Sequence, residues 1–219
     1  MASDLDSTGR LWRIPKWFSE LTQRELDLFR SYLSELIHFN GRMNLISPRT
    51  EATADLTHIA DGILGSRVIL GQTQAIDIFD IGSGNGIPGL VLAILAPTRR
   101  ITLVDADARK IEFLKHCIAR LELSNCHTIH ARLEDLDPGT IHCGVSRGFA
   151  SISKCLLMCR KVAAEDCSFF HFKGPSWSTE VAQIPSQILA SWDPMHVMDY
   201  RLPDEETVRS IVLTKRISR

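Results

Sequence analysis

The chain has 219 residues, 44% of them apolar, with 25 Lys and Arg against 26 Asp and Glu and a formal net charge of -1. That length supports one well-buried core with a smaller appended element. A pI near 6.7 excludes a globally basic, nucleic-acid-coating protein, so any RNA contact has to come from a local patch.

The first 18 or so residues mix polar side chains with Trp12, Pro15, Trp17 and Phe18. This predicts a flexible start whose aromatic rings dock on the body, because clustered rings are costly to leave in water. Thr22 and Glu25 then form a capping box, with Leu21 set to staple against Leu26. Leu26, Phe29, Leu33, Leu36 and Ile37 follow at helical spacing. A second helix is expected from about Thr50 to Leu64, making residues 1–70 an N-terminal helical extension. From Ala75 short apolar strands (75–80, 101–105, 127–130, 141–146, 167–172) alternate with helices (88–95, 108–122, 151–163). That alternation predicts an α/β, Rossmann-like, doubly wound and mostly parallel sheet over 71–219, one compact unit. After Asp107, Ile111, Leu114, Ile118 and Leu121 form the buried stripe of an amphipathic helix. The closing stretch, HVMDYRLPDEETVRSIVLTKRI, reads as two antiparallel strands around an acidic turn, a hairpin at the sheet edge.

Cys117, Cys126, Cys143, Cys155, Cys159 and Cys167 sit among apolar neighbours, and no Cys-x-x-Cys occurs to signal a zinc knuckle or a redox pair. Reduced thiols in a cytoplasmic protein are expected. The opening MASDLDSTGR lacks the basic and apolar regions of a signal peptide, and the run Leu90 to Ala96 is far too short to span a bilayer. No membrane association is expected.

The stretch AIDIFDIGSGNGIPGL, residues 75–90, carries two glycine registers. Gly84-x-Gly86-x-x-Gly89 satisfies a dinucleotide fingerprint, with Asp105 at the distance of a ribose-holding carboxylate. Asp80-x-Gly82-x-Gly84-x-Gly86 instead resembles the first motif of class I methyltransferases that use S-adenosylmethionine. A dinucleotide needs a helix N-terminus aimed at a pyrophosphate, whereas S-adenosylmethionine has no phosphate and carries an amino group that favours a carboxylate such as Asp80. Asp105 serves either reading. Leu133 and Glu134, after the third strand, supply an apolar side chain and an acceptor suited to adenine. The second register therefore accounts for more residues.

The loop after the fourth strand, GVSRGFAS, lacks the Asn/Asp-Pro-Pro-aromatic arrangement used on exocyclic amines and the Pro-Cys or Thr-Cys nucleophile of carbon-5 enzymes. An acceptor that is already nucleophilic needs neither. Guanine N7 has its lone pair in the ring plane and no proton to lose, so alignment is the main requirement.

RMNLISPR (Arg42 to Arg49), HIADGI (His58 to Ile63), DIGSGNGIPG, LVDADARKIEFL, ARLEDL, SRGFAS and FKG (Phe172 to Gly174) resemble, in order, the motifs of the bacterial 16S ribosomal RNA guanine-N7 methyltransferases, the glucose-inhibited division protein B family. The resemblance spans roughly residues 25 to 215, and its most specific parts are the Gly-Ile-Pro-Gly extension and the Ser-Arg-x-Phe-Ala-Ser loop. It implies S-adenosylmethionine contacts at Gly82, Ile87, Leu133, Glu134 and Arg147, and a substrate in a 16S ribosomal RNA loop near the decoding site, free or within the small ribosomal subunit. It further implies that Asn44, Arg49, His58, Asp61, Phe149 and Lys173 shape the substrate cleft. Thr57, Gly62 and Gly148 depart from the usual basic residue, Ser and Ala of that family.

Individually, His58 and Asp61 lie three apart without a third ligand at metal spacing, so a packing or hydrogen-bonding role is favoured and no metal is expected. Arg147 is expected to meet a cofactor carboxylate or an RNA phosphate in preference to a structural carboxylate. Phe149 either stacks on the target guanine or belongs to the core. Arg42, Arg49, Arg109, Lys110 and Lys173 are candidates for the local basic patch, and Asp61 for a carboxylate near the target base. Cys155 and Cys159, four apart on a helical pattern, are expected to be buried thiols. The resulting expectation is a monomeric N7 methyltransferase. An NAD(P)-dependent oxidoreductase and a non-catalytic S-adenosylmethionine-binding protein are the alternatives.

Overall fold

In the computed structural model, which describes residue 5 and residues 9–217, the first long helix begins where its capping box requires. Thr22 Oγ1 accepts from the Glu25 amide, and the Glu25 carboxylate accepts from the Thr22 amide at 2.8 Å. This helix, α2 (Gln23–Met43), buries Phe29, Tyr32, Leu33, Leu36 and Ile37 and ends at Asn44, whose left-handed φ of 50° closes it. Of the N-terminal start, residues 1–4 and 6–8 lie outside the described residues. Within the rest, a one-turn helix α1 (Ile14–Trp17) carries Ile14 and Phe18 into the core, with Trp12 and Trp17 packed against it. Residues 11–18 are thus docked by their apolar side chains.

The single helix expected over 50–64 is three pieces. Ser47 caps a turn, α3 (Pro48–Glu51); a π-helical turn (Asp55–Ala60) follows; and α4 (Asp61–Gln72) continues well past residue 64. The sequence misleads here because α4 is buried on most sides, so no polar stripe marks its length.

The sheet has the order β3-β2-β1-β4-β5-β7-β6. Strands β1 (Asp77–Ile81), β2 (Arg100–Asp105), β3 (Cys126–His130), β4 (Ile141–Arg147) and β5 (Ala163–Lys173) run parallel. The hairpin of β6 (Trp192–Arg201) and β7 (Val208–Arg216) closes one edge antiparallel to β5, as the acidic turn suggested. Crossovers α5 (Gly89–Leu95) and α6 (Ala108–Arg120) pack with α2 and α4 into one apolar cluster, and α7 (Ile152–Cys159) packs into a second. The expected helix 151–163 stops at Cys159 because Val162 and Ala163 are taken into the sheet layer, and β5 accordingly starts earlier than residue 167. Two short helices, α8 (Trp177–Ala182) and α9 (Ser186–Leu189), precede β6 and went unmarked in the sequence. All six cysteines are buried free thiols. Among the described residues no helix is long and apolar enough to cross a membrane.

Alpha-helix α4 reaches the sheet only because Gly65 has no side chain: a methyl there would sit 2.1 Å from Phe172 Cε1 and 2.9 Å from the Tyr200 hydroxyl. Gly65→Ala is expected to destabilise by about 1–3 kcal/mol through overpacking. Gly71→Ala, on the same helix with open space around it, is expected to stabilise by about 0.5 kcal/mol. Urea unfolding midpoints of the two variants should move in opposite directions.

Candidate functional site

The turn after β1 is built from backbone that side chains tolerate poorly: Gly82, Gly84 and Gly86 have φ of 67°, 53° and 93°. Carboxylates at two strand ends hold it. Asp105 Oδ2 accepts from the Gly84 amide at 2.8 Å and its Oδ1 from the Asp107 amide at 2.9 Å. Asp80 Oδ2 accepts from the Gly89 amide at 3.0 Å, while Asp80 Oδ1 is buried with no partner. Burial pushes the Asp80 carboxyl up to about 7, against the lowering effect of the Gly89 amide. From the opposite side, the Tyr32 hydroxyl donates to Asn85 O at 2.6 Å.

A cavity of about 390 Å³ opens over this turn, lined by Gly82, Asp105, Lys110, Leu133, Glu134 and Phe149 among others. Gly82, Asp105, Leu133 and Glu134 thus share one wall. Asp80, Gly84, Gly86 and Ile87 shape the turn without lining the cavity. Phe149 lies on the turn itself, where a methyl at Gly82 would be 2.3 Å from its Cδ2.

Arg147 lines a second cavity, of about 260 Å³, with Thr50, His58, Asp61, Lys173 and Arg209. The segment Arg147–Phe149 therefore divides the two spaces. Arg147 donates to Asp61 Oδ2 and to His58 Nδ1, each at 2.7 Å. A guanidinium only donates, so His58 Nδ1 is the acceptor and its hydrogen resides on Nε2, which donates to Thr50 Oγ1 at 2.9 Å. Thr50 in turn donates to Ser47 O at 3.0 Å. Burial first, then Arg147 and Arg209, lower His58 to about 3. Asp61 Oδ1 accepts from the Tyr200 hydroxyl at 2.8 Å. Burial and the Asp61 charge push the Tyr200 hydroxyl far above the usual tyrosine value.

Each Asp61 oxygen accepts one bond, from Arg147 and from Tyr200, and the Arg147 guanidinium lies against Asp61 in a largely buried ion pair. Lys173 donates to Ala150 O at 3.0 Å and pairs with Glu180 at 2.8 Å, bracing the far end of the same loop. Arg209 donates only to its neighbour's carbonyl, Val208 O, and has no carboxylate partner among the described residues. Asn44 and Arg49 are exposed and line neither cavity, and Arg42 and Arg109 are also exposed, Arg109 beside Asp107. Of the five candidate cations, Lys110 lines the first cavity and Lys173 the second, and the other three line neither.

Sequence reading missed Thr50, Arg209 and both tyrosines. The tyrosines were the detectable ones: the chain has two, each at an apolar-pattern position, and a buried phenol needs a hydroxyl partner. One hydroxyl holds the glycine turn and the other holds Asp61 at the start of α4.

Residues 25–204 match the family described as GidB, rRNA small subunit methyltransferase G. A ribosomal RNA small subunit methyltransferase G 3 from Bdellovibrio bacteriovorus is 38% identical over 208 residues, covering 94% of each chain. One from Colwellia psychrerythraea is 30% identical over 90% of this chain and 91% of its own. Among solved structures, a SAM-dependent methyltransferase from Aquifex aeolicus aligns with TM-score 0.55 at 13% identity, over 78% of this chain and 99% of its own. A predicted O-methyltransferase from Agrobacterium tumefaciens aligns with TM-score 0.56 at 16% identity, over 73% and 82%. The chain belongs to the rRNA small subunit methyltransferase G family, and its fold is that of the SAM-dependent methyltransferases.

The two perturbed groups act on stability with opposite signs. Asp80, raised from its ordinary value near 4 to about 7, binds a proton in the folded state that the unfolded state lacks, so it costs stability as pH rises from about 4 to 7. His58, lowered to about 3, does the reverse: stability is lost as pH falls from about 6.5 toward 3. Asp80→Asn removes the first effect alone. Relative to the parent, this variant should gain on the order of 1 kcal/mol per pH unit between pH 4 and 7. Denaturation at pH 4.5, 5.5 and 6.5 checks this, and parallel stability curves would refute it.

Proposed function

We propose that this chain transfers the methyl group of S-adenosylmethionine to N7 of a guanine in 16S ribosomal RNA, acting as a monomer in the cytoplasm where that RNA is assembled. The observation that carries the reading is the pairing of two unlike cavities across Arg147–Phe149: one with acceptors Asp105 and Glu134 beside Leu133, the other with Arg147, Lys173 and Arg209.

The first cavity fits the cofactor. Asp105 keeps lone pairs for ribose hydroxyls beyond its two backbone bonds, and Glu134 beside Leu133 offers an acceptor and an apolar face for adenine. The unpartnered Asp80 Oδ1 under the glycine turn adds a buried acceptor that favours a cationic ligand over a pyrophosphate. The oxidoreductase reading is not favoured, because the chain's relatives are named as rRNA methyltransferases. When bound, S-adenosylmethionine supplies a methyl group activated by its sulfonium.

The second cavity fits the acceptor. Arg209 and the exposed side of Arg147 present donors to phosphate oxygens, a local basic site within a chain of nearly zero net charge. Phe149, at the boundary, offers a ring on which the target guanine can stack. No residue has to take a proton, because N7 carries none. His58 is locked as a neutral hydrogen-bond bridge, and Lys173 is occupied by Ala150 and Glu180. Alignment and charge complementarity account for the rate.

The test is transfer from labelled S-adenosylmethionine to small ribosomal subunits, and to their stripped RNA, from cells lacking this modification, with nucleoside analysis. A 7-methylguanosine peak is expected. Cofactor binding without label in either substrate would remove the proposed acceptor and favour a non-catalytic binding protein. Arg209→Ala should raise the KM for the ribosomal substrate about tenfold, the loss of ~1.4 kcal/mol of phosphate contact, with cofactor affinity unchanged.

A further inference from the structure

The turn that grips Arg147 is itself gripped from outside the region matched to the family. Asp55 opens the π-helical turn, and its carboxylate is fully buried. It accepts four hydrogen bonds. Three come from Arg13: the backbone amide to Oδ2 at 3.0 Å, Nε to Oδ2 at 2.9 Å and the terminal nitrogen to Oδ1 at 2.8 Å. The fourth comes from the Leu56 amide to Oδ1 at 2.9 Å, the turn's own second residue. The Arg13 guanidinium also lies 4.6 Å from the Trp17 ring centroid, and Ile14 of α1 joins Leu56 and Ile59 in the core.

The consequence runs along the turn. Its wide pitch lets the Asp61 amide bond back to Leu56 O, five residues earlier, and within it lie His58 and, at its end, Asp61. These two side chains take hold of Arg147. A fork of donors on Asp55 fixes the first residue of the turn in position and orientation, as a single point charge does not.

We propose that Arg13 and Asp55 are positioning residues for methyl transfer: through the π-helical turn they set His58 and Asp61, and thereby the orientation of Arg147 in the acceptor cavity. Neither residue lines that cavity. The consequence for RNA rests on the acceptor reading given above, whereas the consequence for His58 does not. The segment before residue 25 is therefore a working part of the acceptor site, and the cofactor cavity on the far side of Arg147–Phe149 is independent of it.

Arg13→Lys keeps the charge and loses the fork; Asp55→Asn keeps the acceptor for Leu56 and loses the ion pair. Three quantities are measured on each: cofactor affinity by calorimetry, transfer kinetics on small ribosomal subunits, and the ¹⁵N resonances of the His58 imidazole. The expected result is cofactor affinity within twofold of the parent, acceptor KM raised at least fivefold, and His58 Nδ1 shifted as its bond from Arg147 loosens. Unchanged His58 resonances in either folded variant would overturn the proposal, as would a loss of cofactor affinity in step with acceptor affinity. If one variant does not fold, the other decides. If the parent itself transfers nothing to ribosomal substrates, the function reading fails while the His58 resonances still decide the coupling.

Discussion

The site depends on how Arg147 is held. Its guanidinium bridges Asp61 and His58, residues 86 and 89 positions away in sequence, in a place where the arginine is only 18% exposed and the aspartate 5%. Such a pair gains little net stability, because desolvating both charges offsets their attraction. What it provides is geometry. Because Tyr200 holds the other oxygen of Asp61 and Thr50 the other nitrogen of His58, neither anchor can rotate without losing a buried bond. The parallel strands supply Arg147, the N-terminal helices Thr50, His58 and Asp61, and the C-terminal hairpin Tyr200, so the second cavity is complete only when all three are docked.

This explains what was legible in the sequence and what was not. The wall of the first cavity is made by short segments at the ends of consecutive parallel strands. Its parts therefore appear in order, each with a local signal: Gly82 in the glycine turn, Asp105 at the end of β2, Leu133 and Glu134 after β3. The second cavity is assembled from residues 50 to 209, and no local pattern predicts that Asp61 will pair with Arg147, or that Arg209 will arrive from the last strand. The π-helical turn was invisible for a related reason. Its residues bind partners far away in sequence, the Arg13 fork at one end and Arg147 at the other, which no local spacing marks.

Charge is organised the same way. With 25 basic and 26 acidic residues, composition argues against RNA, yet three cations line one cavity, two of them paired: Arg147 with Asp61 and Lys173 with Glu180. Arg209 is the cation in that cavity left without a carboxylate among the described residues. A net charge near zero is therefore compatible with a local positive site at Arg209, because recognition depends on the local field and not on the sum.

The state of His58 narrows the chemistry this cavity can perform. In most clefts a histidine beside two arginines is the first candidate for a general base. Here it is held neutral well below physiological pH by burial and by the arginines, and both ring nitrogens are already bonded. To accept a proton at Nδ1 it would have to release Arg147; to donate from Nε2 it would have to release Thr50. Lys173 is pinned by Glu180, and Asp61 by two donors. A cavity in which His58 and Asp61 hold one arginine and Lys173 is paired with Glu180 can orient and charge-match an acceptor, but it offers no free base to deprotonate one. An exocyclic amine or a hydroxyl, which must lose a proton on methylation, is poorly served by such a site, whereas a ring nitrogen with an in-plane lone pair asks only to be aimed.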